Sequence, residues 1–273
     1  MTLLQSSFSV LRSEPRLLLL PLGSALLILA LVLFIVFPGK IAALAFNLSS
    51  VKVVENEIST GKVFAFLVLA YFIIMFSNAG TASSTAALFQ KKKLKVVQNL
   101  RPALQHGGKL FRWALIAAIP LGIVLRYLWT KSKPISQLLF PHGKGESWDR
   151  LTYFAVPAMI IESQDIHHAL HRSRELIRGK WKEAAHSPSF LTTGSVALIV
   201  VGLVVILYGL YANSFAWKVG GLVYSTVSIL FFSNLSMIAR TALYLYACKG
   251  TVPAGFRQEE LEQAFGPTEL GRR

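Results

Sequence analysis

The sequence predicts an all-α, polytopic transmembrane bundle of six spans, and three observations predict it. Of 273 residues, 53% are hydrophobic and 15% charged, with a mean hydropathy of +0.53. A soluble domain carries about a quarter charged residues. The apolar residues come in blocks, and a helix crosses a bilayer with about 20 of them. Segments rich in Lys and Arg separate the blocks. The length fits a single integral membrane domain over 1–273 with short loops.

Residues 1–15 mix Leu3, Leu4, Phe8, Val10 and Leu11 with Ser, Gln and Arg, a pattern for an interfacial amphipathic helix stopped by Pro15. The first block is too long for a signal h-region and has no small-residue cleavage site. It gives a first span over 17–37, closed by Pro38-Gly39, with Pro21 in the early turns where proline is tolerated. The second span, 63–89, ends in Ser77-Asn78-Ala79-Gly80-Thr81-Ala82-Ser83-Ser84. Small and polar residues of this kind pack against other helices. Lys91-Lys92-Lys93-Leu94-Lys95 stops it. Leu94, Val97, Leu100 and Leu104 share a helical face, predicting an amphipathic helix over 94–110 that Gly107-Gly108 ends.

The third span is 111–129, with Trp113 and Trp129 as interface anchors and a kink at Pro120. The fourth is 148–162. Its unbroken apolar run is short enough that a half-helix or re-entrant segment is the alternative. A basic amphipathic helix follows over 165–184. Spans five and six are 190–211 and 219–247. The 249–273 tail is polar, and Glu259, Glu260, Leu261, Glu262 and Phe265 predict one short amphipathic helix there.

Lys and Arg number 28 against 13 Asp and Glu, a net charge of +15. Counted by side, eighteen Lys and Arg flank one face of this topology and eight the other. The heavier side is cytoplasmic, which puts both termini in the cytoplasm of a cell-membrane protein. The excess is therefore topogenic and lipid-directed, and no nucleic acid is expected. One cysteine, Cys248, excludes an intramolecular disulfide.

Four segments carry a family resemblance: FRWALIAAIPLGIVLRYL (111–128), WDRLTYFAVPAMIIES (148–163), ALHRSRELIRGKW (169–181) and ALYLYACKGTVPAGFRQEELEQAF (242–265). Their marks are Val156, Pro157 and Glu162, then Ala169, Arg172, Ser173 and Trp181. The last segment adds Tyr246, Ala247, Gly250, Val252, Pro253, Gly255, Phe256, Ala264 and Phe265. The chain resembles an uncharacterised prokaryotic six-span integral membrane family, a domain of unknown function. The resemblance covers most of the chain, with departures at 167–171 and 130–147. It implies the topology and no activity.

Candidate chemistry is sparse. Asp165, His167, His168, His171 and Glu162 hint at a metal, but Arg172, Arg174 and Arg178 disfavour a cation and no cysteine pair completes a ligand set. Neither metal nor cofactor is expected. The spans hold no histidine and almost no acid, so a nucleophile, base and orienter cannot assemble there; no enzyme is expected. Asn78, Asn234 and the serines of spans two and six could line a path for a small solute or ion, which is the alternative function. The leading reading is a non-catalytic scaffold or accessory protein with a basic cytoplasmic surface. Lys91, Lys92, Lys93, Lys95, Arg172, Arg174, Arg178, Lys180 and Lys182 form that surface, suited to anionic lipid headgroups or a protein partner.

Two structural contacts are expected. Glu162 ends span four on the side where Arg240 ends the apolar part of span six, so the carboxylate should pair with Arg240 or an Arg of the 172–178 helix. Asn78 and Asn234 each lie 16 residues past the lysine opening their span, Lys62 or Lys218. That is about 24 Å at 1.5 Å per residue, so the amides share a depth and could meet. The alternative is that each bonds a backbone carbonyl or water separately.

Overall fold

In the computed structural model, the described residues are 3–36, 60–92, 96–115, 118, 152–180 and 189–265. All regular structure among them is helical, with no strand. Helix α1 spans Leu3–Ser13. After Glu14 a 3₁₀ turn, Pro15–Leu18, feeds α2, Leu19–Val36. Then come α3, Thr60–Phe89, and two short helices, α4, Val96–Asn99, and α5, Arg101–Gln105. Residues 107–115 are helical again. Further on lie α6, Ala155–Ile161; α7, Ile166–Lys180; α8, Ser189–Tyr211; α9, Phe215–Lys249; and α10, Gln258–Ala264.

Three helical stretches are long and apolar enough to cross a membrane: Pro15–Val32, Phe64–Phe89 and Ala216–Lys249. Val200–Tyr211 in α8 is a shorter apolar helix. Of the expected third span, 111–129, only 111–115 and 118 are among the described residues. Of the expected fourth, 148–162, residues 152–162 are described, and α6 there is a helix of 7 residues, shorter than the about 20 that a crossing takes.

Helix α9 is the axis. It packs on α8, α3, α2, α1, α6 and α7. Its 35 residues run about 52 Å, well past the ~30 Å of a hydrocarbon core. Two cores divide it accordingly. A small one joins Ala25, Ile28 and Val32 of α2 to Leu230, with Phe66, Ile73 and Ile74 of α3 alongside. A larger one surrounds the second half of α9 and includes Leu11, Phe154, Met159, Leu243, Tyr244 and Leu261. There α1, α6, α7 and α10 form a collar. On the first half, α2, α8 and α9 turn Leu26, Phe34, Val204, Leu207 and Val227 outward. Large outward side chains of this density suit hydrocarbon, not water.

The α8–α9 hairpin is drawn tight by glycines. A Cβ on Gly209 would sit 2.6 Å from the Lys218 nitrogen, and one on Gly221 would sit 2.9 Å from the Ile206 nitrogen. Small residues let the backbones approach this closely.

Two expectations change here. Gly107-Gly108 do not end a helix: both lie within the helical stretch 107–115, and the break falls at His106. The His106 ring closes that turn with Nδ1 on the Pro102 carbonyl, 2.8 Å. The N-terminal helix buries Leu3, Ser6, Ser7, Val10 and Leu11 against protein, contacting α9 and α10. The two ends of the described chain therefore lie together.

The return to α1 depends on two glycines. Gly250 caps α9 at φ 65°, its N–H on the Tyr246 carbonyl. Gly255, at φ 90°, occupies the third position of a turn closed by Phe256 N–H to Pro253 O, 3.1 Å. Both conformations favour glycine. Phe256 then packs edge-on against Phe89, with ring centres 5.8 Å apart.

Candidate functional site

A cluster of polar side chains lies where α6, α7 and α9 converge. Glu162 follows the last residue of α6, and the strained turn after it, with Ser163 at φ 55°, leads through Gln164 and Asp165 into α7. Glu162 Oε1 accepts the Tyr244 hydroxyl of α9 in a short hydrogen bond. Gln164 Nε2 donates to Oε2 at 2.7 Å. Arg172 Nε stands 3.7 Å from Oε1, and the Cys248 thiol 3.9 Å. From the other side Lys109 reaches the Gln164 carbonyl at 3.3 Å and the Asp165 carboxylate at 3.9 Å. Ser173, fully buried on α7, accepts the Phe154 N–H at 3.1 Å. Partial burial works against the Arg172 charge. The Cys248 sulfur and the Glu162 carboxylate more than offset it and hold the guanidinium above its ordinary range.

The carboxylate does not take Arg240 as its partner among the described residues; the partner is Arg172. Helical rise explains the choice. Tyr244 and Arg240 are four residues apart on one face of α9, so Arg240 lies about 6 Å further back along the axis. At that level it meets Tyr153 instead, its guanidinium carbon 4.6 Å from the ring centre.

The two amides do not pair either. Asn78 Oδ1 accepts the Ser233 hydroxyl at 2.9 Å. Asn234 Nδ2 donates to the Leu17 carbonyl at 3.3 Å. α3 and α9 are neighbours and the depths match, but consecutive residues on a helix point about 100° apart. Ser233 faces α3, and Asn234 turns to the 3₁₀ turn before α2.

Of the basic surface, Lys91 and Lys92 are exposed just past α3. Lys91 N–H bonds Leu88 O at 2.9 Å and Lys92 N–H bonds Ala87 O at 3.0 Å, with Lys91 left-handed at φ 57°. That is a Schellman closure, which fixes the direction of both lysines. Arg174 is exposed on α7. Arg172, its side chain 38% exposed, stands 3.7 Å from both Glu162 and Glu175 and so joins the hub. Arg178 and Lys180 fall in the last turn of α7. Lys93, Lys95 and Lys182 lie outside the described residues. No group of three His, Cys, Asp or Glu side chains positioned to hold a metal occurs among the described residues.

Sequence reasoning missed Tyr244, Tyr153 and Gln164. The signal was present for the tyrosines: a hydroxyl in an apolar helix needs a polar partner. Ser6 and Glu260 were missed as a pair. Their buried 2.5 Å hydrogen bond joins α1 to α10 across nearly the whole chain.

A sequence model of DUF6159, a family of unknown function, matches residues 58–256. No curated protein and no solved structure matches the chain.

Proposed function

The chain belongs to this family of unknown function, and on that premise we propose a multi-pass membrane protein that works as a non-catalytic scaffold or accessory component. Its cytoplasmic face presents basic residues to anionic lipid, with room for a protein partner. One observation carries the reading: the polar side chains at the junction of α6, α7 and α9, and Asn78 on α3, tie helices to one another. Glu162 is held by Tyr244, Gln164 and Arg172, and Asn78 is bonded to Ser233. Lys91, Lys92 and Arg174 meanwhile remain exposed.

The topology that goes with it has six crossings in one membrane domain and both termini cytoplasmic. The contact of α1 with α10 supports placing both ends on one side. The eighteen-to-eight distribution of Lys and Arg supports the cytoplasmic side. Reporter fusions at residues 50, 140, 214 and the C-terminus test it. A cytoplasmic signal at 140 with an extracytoplasmic C-terminus refutes it.

The surface reading is tested by adsorption of the purified protein to vesicles with and without anionic lipid. Stronger, salt-sensitive binding to anionic vesicles is expected, and indifference to lipid charge refutes it.

A small-solute or ion pathway is the second reading. It is favoured by the Ser84 and Thr85 hydroxyls and the Asn234 Oδ1, all buried with no hydrogen-bond partner among the described residues. Such groups call for water or a solute. Proteoliposomes that conduct ions or small solutes would put this reading first.

A further inference from the structure

Helix α9 passes Trp217 and Lys218 near its start and reaches Arg240 22 residues after Lys218. That is about 33 Å along the axis, close to the thickness of a hydrocarbon core. Arg240 therefore stands where α9 leaves the apolar layer and enters the collar. One face of its guanidinium is covered by the Tyr153 ring at 4.6 Å. Its Nε is shielded from solvent and has no hydrogen-bond partner among the described residues. The carboxylate expected to pair with it, Glu162, is already held by Tyr244, Gln164 and Arg172. The side chain as a whole is only partly buried, so one side stays open.

A guanidinium cannot escape this situation by losing its proton. Partly desolvated and without a carboxylate partner among the described residues, it is costly until an anion arrives. At headgroup depth the abundant anion is a phosphate, whose paired oxygens match the guanidinium fork. We propose that Arg240 and Tyr153 form a seat for the phosphate of one anionic phospholipid at the inner end of α9. The phosphate oxygens accept N–H groups on the open side of the guanidinium, and the tyrosine ring holds the other face by a cation–π contact. This rests on the reading that α9 crosses the membrane. It differs from diffuse attraction to Lys91, Lys92 and Arg174, because a single lipid is held by geometry and survives salt.

The test is titration of the delipidated full chain in mild detergent, read by native mass spectrometry and by thermal melting. The probes are phosphatidylglycerol, phosphatidylcholine and inorganic phosphate. Wild type should retain one phosphatidylglycerol at high salt and gain thermal stability from it, with little response to the other two. Arg240→Gln should weaken that retention about tenfold. Tyr153→Leu should weaken it too, and Tyr153→Phe, which keeps the ring, should not. If Arg240→Gln fails to fold, the contrast between the two Tyr153 variants decides. Equal retention in wild type and Arg240→Gln, equal retention in Tyr153→Leu and Tyr153→Phe, or inorganic phosphate protecting as well as the lipid, overturns the proposal. Glu146→Gln with Asp149→Asn tests whether an acid of the preceding segment fills the seat instead; a gain in lipid retention on their removal also overturns it. Vesicle adsorption measured alongside keeps the broader reading separate. A Lys91, Lys92 and Arg174→Gln variant should lose salt-sensitive adsorption while keeping the single retained lipid.

Discussion

Replacing Glu162 by Ala and by Gln should have different consequences, and the difference can be worked from its partners. Tyr244 is 1% exposed, and its hydroxyl donates to Glu162. A hydrogen bond to a charged acceptor contributes about 1.5–3 kcal/mol. The Arg172 contact is 3.7 Å between side chains that are 28% and 38% exposed, so solvent screening limits it to about 1 kcal/mol or less. Glu162→Ala loses both and leaves the Tyr244 hydroxyl buried without its acceptor, a cost of about 2–3 kcal/mol. Glu162→Gln keeps an oxygen for Tyr244. Its new amide N–H group meets Gln164, whose Oε1 is buried with no hydrogen-bond partner and can turn to accept it. Only the charge interaction is lost, about 1 kcal/mol or less. Denaturation in mild detergent should rank wild type above Glu162→Gln and both well above Glu162→Ala. The double-mutant cycle with Tyr244→Phe should show a coupling of about 1.5–3 kcal/mol. If Ala and Gln variants unfold with wild type, or the cycle is additive, Glu162 faces water and the hub does not tie α6 to α9.

The hairpin glycines should also separate. Gly209→Ala drives a Cβ against the Lys218 and Trp217 backbone and should cost about 1–3 kcal/mol, whereas Gly202→Ala meets chiefly the Ser225 side chain, which can rotate away, and should cost less on the same denaturation scale. Ser6→Ala removes a buried hydrogen bond to the Glu260 carboxylate; it should loosen α10 and speed proteolysis after α9, and an unchanged cleavage rate would count against the terminal clasp. Lys91→Gly relieves a left-handed non-glycine residue, so it should stabilise by about 1 kcal/mol while weakening adsorption to anionic vesicles. Asn78→Ala should cost only about 0.6 kcal/mol, the usual size of an interhelical hydrogen bond in a membrane, and a loss of several kcal/mol would mean that the amide does more than meet Ser233.

What the sequence determined by itself was axial. Hydropathy and breakers are local along the chain, so the limits of α2 and α3 could be read to within a few residues from Pro15, Pro38 and the lysines at 62 and 91–92. Axial rise is local too, which is why the sequence alone places Asn78 and Asn234 at one level. Rotation and neighbourhood belonged to the tertiary structure. Each residue step turns about 100°, so nothing local chose Ser233 over Asn234 as the partner of Asn78. Nor could local pattern choose between Arg172 and Arg240 for Glu162, since the choice depends on which turn of α9 the end of α6 meets. The docking of α1 on α9 and α10 has the same cause. An amphipathic helix buries its apolar face equally well on lipid or on protein, and only the assembled collar offers α1 a protein surface with Glu260 waiting for Ser6.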